Sequence, residues 1–134
     1  MKRVFADAHF FIALLNRRDA FHGRAEETYR DMDFQETVTT AWVLAELADG
    51  MSSPGARTVC RDFIRGFRRR KDARIIEHPE CFWRGFDLYS KRPDKEWSLT
   101  DCISFIVMSD EGLTEALTGD RHFEQAGFTA LLRD

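Results

Sequence analysis

Cysteine is scarce: Cys60, Cys81 and Cys102 are the only three in 134 residues, and no two form a CxxC pair. An odd, widely spaced set excludes a disulfide scaffold and gives no zinc or redox signature, so three reduced thiols in a cytoplasmic protein are expected. Proline is equally rare, at three residues, and there is no linker, repeat or low-complexity tract. No run of about 18 apolar residues exists, so no membrane span is expected. The opening stretch MKRVFADAHFFIALL is interrupted by Asp7 and His9 and lacks a small-residue cleavage site, which argues against a signal peptide. An excess of positive charge is missing too. Twenty Lys and Arg face 23 Asp and Glu, for a net charge of -3, unlike the basic footprint usual in nucleic-acid binders.

What the chain does have is enough apolar material for one domain over residues 1–134. Its 43% hydrophobic content is ordinary, and a domain near this length buries roughly 70% of its unfolded surface. No disulfide or structural metal is then needed to hold the core.

Alternating patterns run along the whole chain. Arg3 to Ala6 reads as a buried strand, and His9 to Asn16 as a mostly apolar helix. Asp19 to Met32 reads as an amphipathic helix, and Glu36 to Thr39 as a strand. Thr40 is placed to cap a helix from Ala41. Pro54 and Gly55 separate that helix from one over Thr58 to Arg70, with Val59, Phe63, Ile64 and Phe67 at three- and four-residue steps. A strand follows at Ala73 to Glu77, a helix from Pro79 to about Ser90, and a loop at Arg92 to Lys95. Thr100 to Asp110 is helical, Glu115 to Thr118 a strand, and Arg121 to Ala126 a short helix. Phe128 to Leu132 is expected as the last strand. Strands alternating with helices predict a three-layer α/β/α fold with a central parallel sheet of four to five strands. Ligands of such folds bind beyond the carboxyl ends of the strands, where the strand order reverses.

Four carboxylates fall where that edge should be. Asp7 directly follows the first strand, and Asp120 follows the strand at Glu115 to Thr118 after a Gly119 turn. Each alone reads equally well as a helix N-cap. Asp101 ends Ser98-Leu99-Thr100-Asp101, which matches a capping box. Glu46 is less easily explained, because it falls in the arc of Trp42 and Val43, beside Leu44 and Leu47, where a carboxylate is partly desolvated unless it meets a cation or stands at an edge where it reaches water. Crowded carboxylates repel, so cations must usually compensate them. Oxygen ligands suit Mg²⁺ or Mn²⁺. His9, His22, His78 and His122 show no paired ligand spacing for zinc. With four acids set aside in a metal site, 20 bases face 19 acids on the rest of the chain.

These segments resemble a known family. FADAHFFIALL resembles the first motif of the PIN domain, TAWVLAEL the second, SLTDCISFIVM the third, and ALTGDRHFEQAGF the fourth, the most specific of them. The resemblance covers nearly the whole chain in order. It implies an acidic quartet of Asp7, Glu46, Asp101 and Asp120 holding one or two Mg²⁺ or Mn²⁺ ions, with Thr118 as the hydroxyl residue beside them. It also implies divalent-metal-dependent cleavage of RNA. Many small bacterial members are VapC-like toxins held inactive by an antitoxin protein, and a homodimer is expected. The abundance of Phe, 12 residues, is consistent with an aromatic interface.

RGFRRRKDAR, from Arg65 to Arg74, has two readings: a helix end whose bases complement the dipole, or an RNA-backbone contact through Arg68, Arg69 and Arg70. The loop around Trp97 is not fixed by the family pattern. Two other functions compete. An aspartyl-phosphate phosphatase usually needs a D-x-D signature after its first strand, and here His9 stands two residues after Asp7. A non-catalytic PIN-like module that binds RNA or a protein partner is the alternative from another class.

Overall fold

In the computed structural model, which describes residues 2–31 and 34–133, secondary structure follows the alternation closely. Strands β1 (Lys2–Ala6), β2 (Phe34–Thr40), β3 (Ala73–Ile76), β4 (Glu115–Leu117) and β5 (Thr129–Ala130) pair only in parallel, in the order β3-β2-β1-β4-β5. Between them run α1 (Ala8–Leu15), α2 (His22–Asp31), α3 (Ala41–Gly50), α4 (Pro54–Arg69), α5 (Pro79–Lys91), α6 (Leu99–Glu111) and α7 (Arg121–Gln125). The chain steps outward from β1 to β2 and β3, then returns past β1 to β4 and β5. Right-handed crossovers in opposite directions place helices on opposite faces. Accordingly α1, α2, α3 and α4 pack in succession on one side, and α5, α6 and α7 on the other.

Period-two side-chain alternation along β1 feeds two cores. Phe10, Phe11, Phe63 and Phe67 interlock between α1 and α4, with ring centroids 5.2–5.9 Å apart. On the other face Phe5, Phe105 and Phe123 form a chain extended by Trp97 and Phe128. Phe5, Phe10, Phe11 and Phe123 are fully buried, each contributing about 1.5–3 kcal/mol of transfer free energy. At the amino ends of the strands, Arg3 donates to Glu36 and Glu111, and Arg74 also pairs with Glu111. This network clamps β1, β2, β3 and the end of α6.

Local signals explain where elements begin and end. Thr40 caps α3 by accepting from the Val43 amide at 3.0 Å. Ser98 and Asp101 make a full capping box at α6, which Gly112 ends in the left-handed conformation, φ 69°. Several boundaries differ from expectation. Helix α4 starts at Pro54 instead of Thr58, because proline is tolerated at a first helical position, where its missing N–H has no partner to lose. Helix α2 starts at His22 instead of Asp19, since the Asp19 side chain accepts from the Phe21 amide and closes a turn first. The expected end of that helix at Met32 lies outside the described residues. The last strand shrinks to Thr129–Ala130, because the chain turns at once, with the Arg133 amide donating to the Ala130 carbonyl.

Helices α5 and α6 approach so closely that a Cβ on Gly85 would lie 2.4 Å from Ile103 Cγ1 and 2.9 Å from its Cα. Gly85→Ala is therefore expected to lower stability by about 1–3 kcal/mol. Gly66→Ala, in the open on α4, should raise it by roughly 0.5–1 kcal/mol. Urea melts of the two variants check both signs. A neutral Gly85→Ala would mean that the helices can separate freely.

Candidate metal centre

The strand order reverses between β1 and β4, and the peptide segments leaving these two strands carry Asp7 and Thr118-Gly119-Asp120. Asp7 occupies the N-cap position of α1, yet its side chain makes no capping hydrogen bond. It is turned inward, 4% exposed. Its Oδ2 accepts from the Thr118 hydroxyl at 2.8 Å, and that hydroxyl accepts from the Asp120 amide at 3.1 Å. Thr118 thus ties the ends of β1 and β4 together. Asp7 Oδ1 is buried without any hydrogen-bond partner.

Asp101 and Asp120 close in from the helix starts. Asp101 Oδ2 accepts from the Ser98 amide at 3.2 Å, and Asp120 Oδ1 from the His122 amide at 2.9 Å. Both acids therefore are caps, as their sequence contexts suggest, and they also share one site. Single ligand-capable atoms of Asp101, Asp120 and His122 all lie within 4.8 Å of one another. Glu46 approaches from α3. It stands exposed at the rim, at the edge of the apolar arc, and still loses part of its hydration there.

The four carboxylates feel one another. Burial pushes the Asp7 carboxyl up to about 7, against the pull of the Thr118 bond, and the charges of Asp101 and Glu46 push the same way. Glu46 is raised by lost hydration and then by Asp101 and Asp120. Asp101 is raised by burial and then by Asp120, with the His122 and Ser98 contacts opposing. A cation placed among them would remove the shared cause, and the unpartnered Asp7 Oδ1 is a ligand atom without another role. An all-carboxylate donor set of hard oxygens fits a divalent ion.

Sequence reasoning missed His122. Its ring Nδ1 lies 3.1 Å from Asp101 Oδ2 and 3.3 Å from Asp120 Oδ1. The usable signal was its place two residues after Asp120, in the first turn of α7. His9 was likewise unassigned. Its Nδ1 accepts from the Gly119 amide at 3.0 Å, so close that a Cβ on Gly119 would lie 2.6 Å from the ring. Arg68, Arg69 and Arg70 do not join the cluster. They precede β3, at the amino end of the sheet, whereas the acids follow the carboxyl ends. Arg70 is already engaged by Asp72 and by the Tyr29 hydroxyl. The basic run thus ends α4, at the opposite end of the sheet from the acids.

A family model described as the PIN domain matches residues 4–129. Among curated proteins, the 23S rRNA-specific endonuclease VapC20 of Mycobacterium tuberculosis is 25% identical, over 93% of this chain and 95% of the relative. Its crystal structure, described as a sarcin-ricin loop cleaving toxin, superposes with a TM-score of 0.85 at 24% identity, over 94% of this chain and 96% of that one. FitAcB from Neisseria gonorrhoeae aligns with a TM-score of 0.63 at 14% identity, over 95% of this chain and 94% of that one.

The burial of Asp7 has a thermodynamic signature. Its folded-state value is raised above the unfolded one, so its contribution to stability is full below about pH 4 and is lost as pH rises through about 7. Without divalent ions, Asp7→Asn should therefore stabilise the protein at pH 8, by an amount bounded near 4 kcal/mol, and much less at pH 4. The replacement also keeps an acceptor for Thr118. Thermal melts of both proteins in chelator at the two pH values test this, and equal shifts at both would contradict it.

Proposed function

Because the chain belongs to the PIN-domain family, we propose that it is a divalent-metal-dependent endoribonuclease acting as the toxin of a toxin–antitoxin pair. The observation that carries the proposal is the orphaned, buried Asp7 Oδ1, whose carboxyl is opposed in ionising by the charges of Asp101 and Glu46. Asp7, Glu46, Asp101 and Asp120 would hold one or two Mg²⁺ or Mn²⁺ ions. When bound, such an ion offsets the charge developing on the phosphate and makes a water acidic enough to attack near neutral pH.

The protein's own groups prepare that reaction. Thr118 fixes the Asp7 carboxylate across the β1–β4 gap, leaving Oδ1 free. The caps of α6 and α7 fix one oxygen each of Asp101 and Asp120. Glu46, at the rim, is the member that can adjust to substrate. Water adds to phosphorus as the P–O bond to the leaving oxygen breaks. The water's proton passes to the leaving oxygen, giving a phosphate monoester and a hydroxyl. The Thr118 hydroxyl is not placed to act as a covalent nucleophile: it is fully buried and donates to Asp7.

Ribosomal RNA is the substrate class to try first, given what the relative VapC20 is named for. The partners in the proposal are RNA, an antitoxin protein and a second copy of the chain. The support for self-association is a stripe of exposed aromatics on α5, with Trp83 61%, Phe86 42% and Tyr89 49% exposed. The buried, unpaired state of all three cysteines fits a reducing compartment. No described helix is long and apolar enough to cross a membrane.

Asp7→Asn and Asp120→Asn should each cut RNA cleavage by two orders of magnitude or more, with folding intact by circular dichroism, and chelation should silence the wild-type chain reversibly. Full activity in both variants, freed of contaminating nuclease, would remove the metal site from the mechanism. Light scattering should give a dimer mass that shifts toward the monomer in Trp83→Ser. A monomer at every concentration would exclude the self-association.

A further inference from the structure

The oxygens of the site divide into two sets. Asp101 Oδ2 accepts from the Ser98 amide, Asp120 Oδ1 from the His122 amide, and Asp7 Oδ2 from the Thr118 hydroxyl. The second oxygen of Asp7 is buried and unpartnered. Each of the three aspartates thus has one oxygen bound to protein. The His122 ring falls on one side of this division. Its Nδ1 touches Asp101 Oδ2 at 3.1 Å and Asp120 Oδ1 at 3.3 Å, the same two oxygens that already accept from backbone amides. Both partners are acceptors, so Nδ1 carries the hydrogen. A ring nitrogen bearing hydrogen toward two protein-bound oxygens has no lone pair for a metal.

On the reading proposed above, we infer that His122 is a positioning residue. Its Nδ1–H bridges Asp101 and Asp120 and holds their remaining oxygens, together with Asp7 Oδ1, in register for the cation. The ring does with a hydrogen bond what a ligand would do with a lone pair. It brings two carboxylates together that would otherwise separate, because it places a donor between their charges. Helix α7 is only five residues long and could not set the spacing to Asp101 by itself, since Asp101 stands on α6. The Phe105–Phe123 contact packs the two helices, and the ring adds the polar link between their carboxylates. Groups of this kind that orient metal ligands typically contribute 10–100-fold in metal affinity.

The backbone cap and the ring can be separated, because any residue but proline at position 122 keeps the amide bond to Asp120. Asparagine places its amide N–H₂ near the position of Nδ1, whereas glutamine reaches toward that of Nε2. Mn²⁺ binding to the intact chain, followed by electron paramagnetic resonance titration, should weaken about 10–100-fold in His122→Ala. His122→Asn should recover most of the loss, and His122→Gln should not. Electron spin echo modulation of the Mn²⁺-loaded wild-type chain should show no directly bound nitrogen. A nitrogen coupling lost in His122→Ala would make the ring a ligand and overturn the inference. Equal Mn²⁺ affinity in all four proteins would overturn it as well. Failure of the wild-type chain to bind Mn²⁺ at all would instead sink the metal-dependent function on which the inference rests.

Discussion

A hydroxyl donated to a buried carboxylate holds this molecule's working end together. The Thr118–Asp7 bond joins the ends of β1 and β4, where the strand order reverses. Because Thr118 also accepts from the Asp120 amide, one side chain sets the relative positions of two acids that belong to opposite halves of the sheet. The bond offsets only part of the cost of burying Asp7, whose ionisation remains opposed. That residual cost gives a cation its purchase: the fold supplies charge density that it does not itself neutralise.

The same logic explains why capping and metal binding coincide here. A helix N-terminus stabilises an anionic side chain through its free N–H groups. A carboxylate has two oxygens, so one can satisfy the helix while the other serves a ligand. Asp101 and Asp120 each give one oxygen to a backbone amide. Asp7, at the N-cap of α1 but without a capping bond, is fixed by a side chain of another strand instead. The choice between capping and catalysis, which seems exclusive when each residue is considered alone, dissolves once both oxygens are counted.

Much of this was legible from spacing. The parallel sheet, the α3 cap at Thr40 and the capping box at Ser98 follow from local chemistry that needs no partner, and each appears as expected. The placing of Asp7 and Asp120 at one edge followed from topology, since residues after adjacent parallel strands must share an edge. What escaped was tertiary. His122 has no pattern of its own, because its partner Asp101 lies 21 residues away on another helix. The helical arc left open whether Glu46 is desolvated or reaches water at an edge, and the position combines the two. The Arg68 to Arg70 run was conspicuous in a nearly balanced chain, and the helix end that was one of its two readings is where it lies.

The sheet's two ends use charge in opposite ways. At the amino ends Arg3 and Arg74 bind Glu36 and Glu111, so every member of that network has an opposite charge beside it. At the carboxyl ends the acids face one another. The residues that pair charges across the strands are therefore not those of the acidic cluster, and the two sets lie at opposite ends of the sheet. A lineage carrying this fold can strengthen or loosen one end by substitution without retuning the other, so thermal adaptation and substrate adaptation can proceed along separate sets of positions.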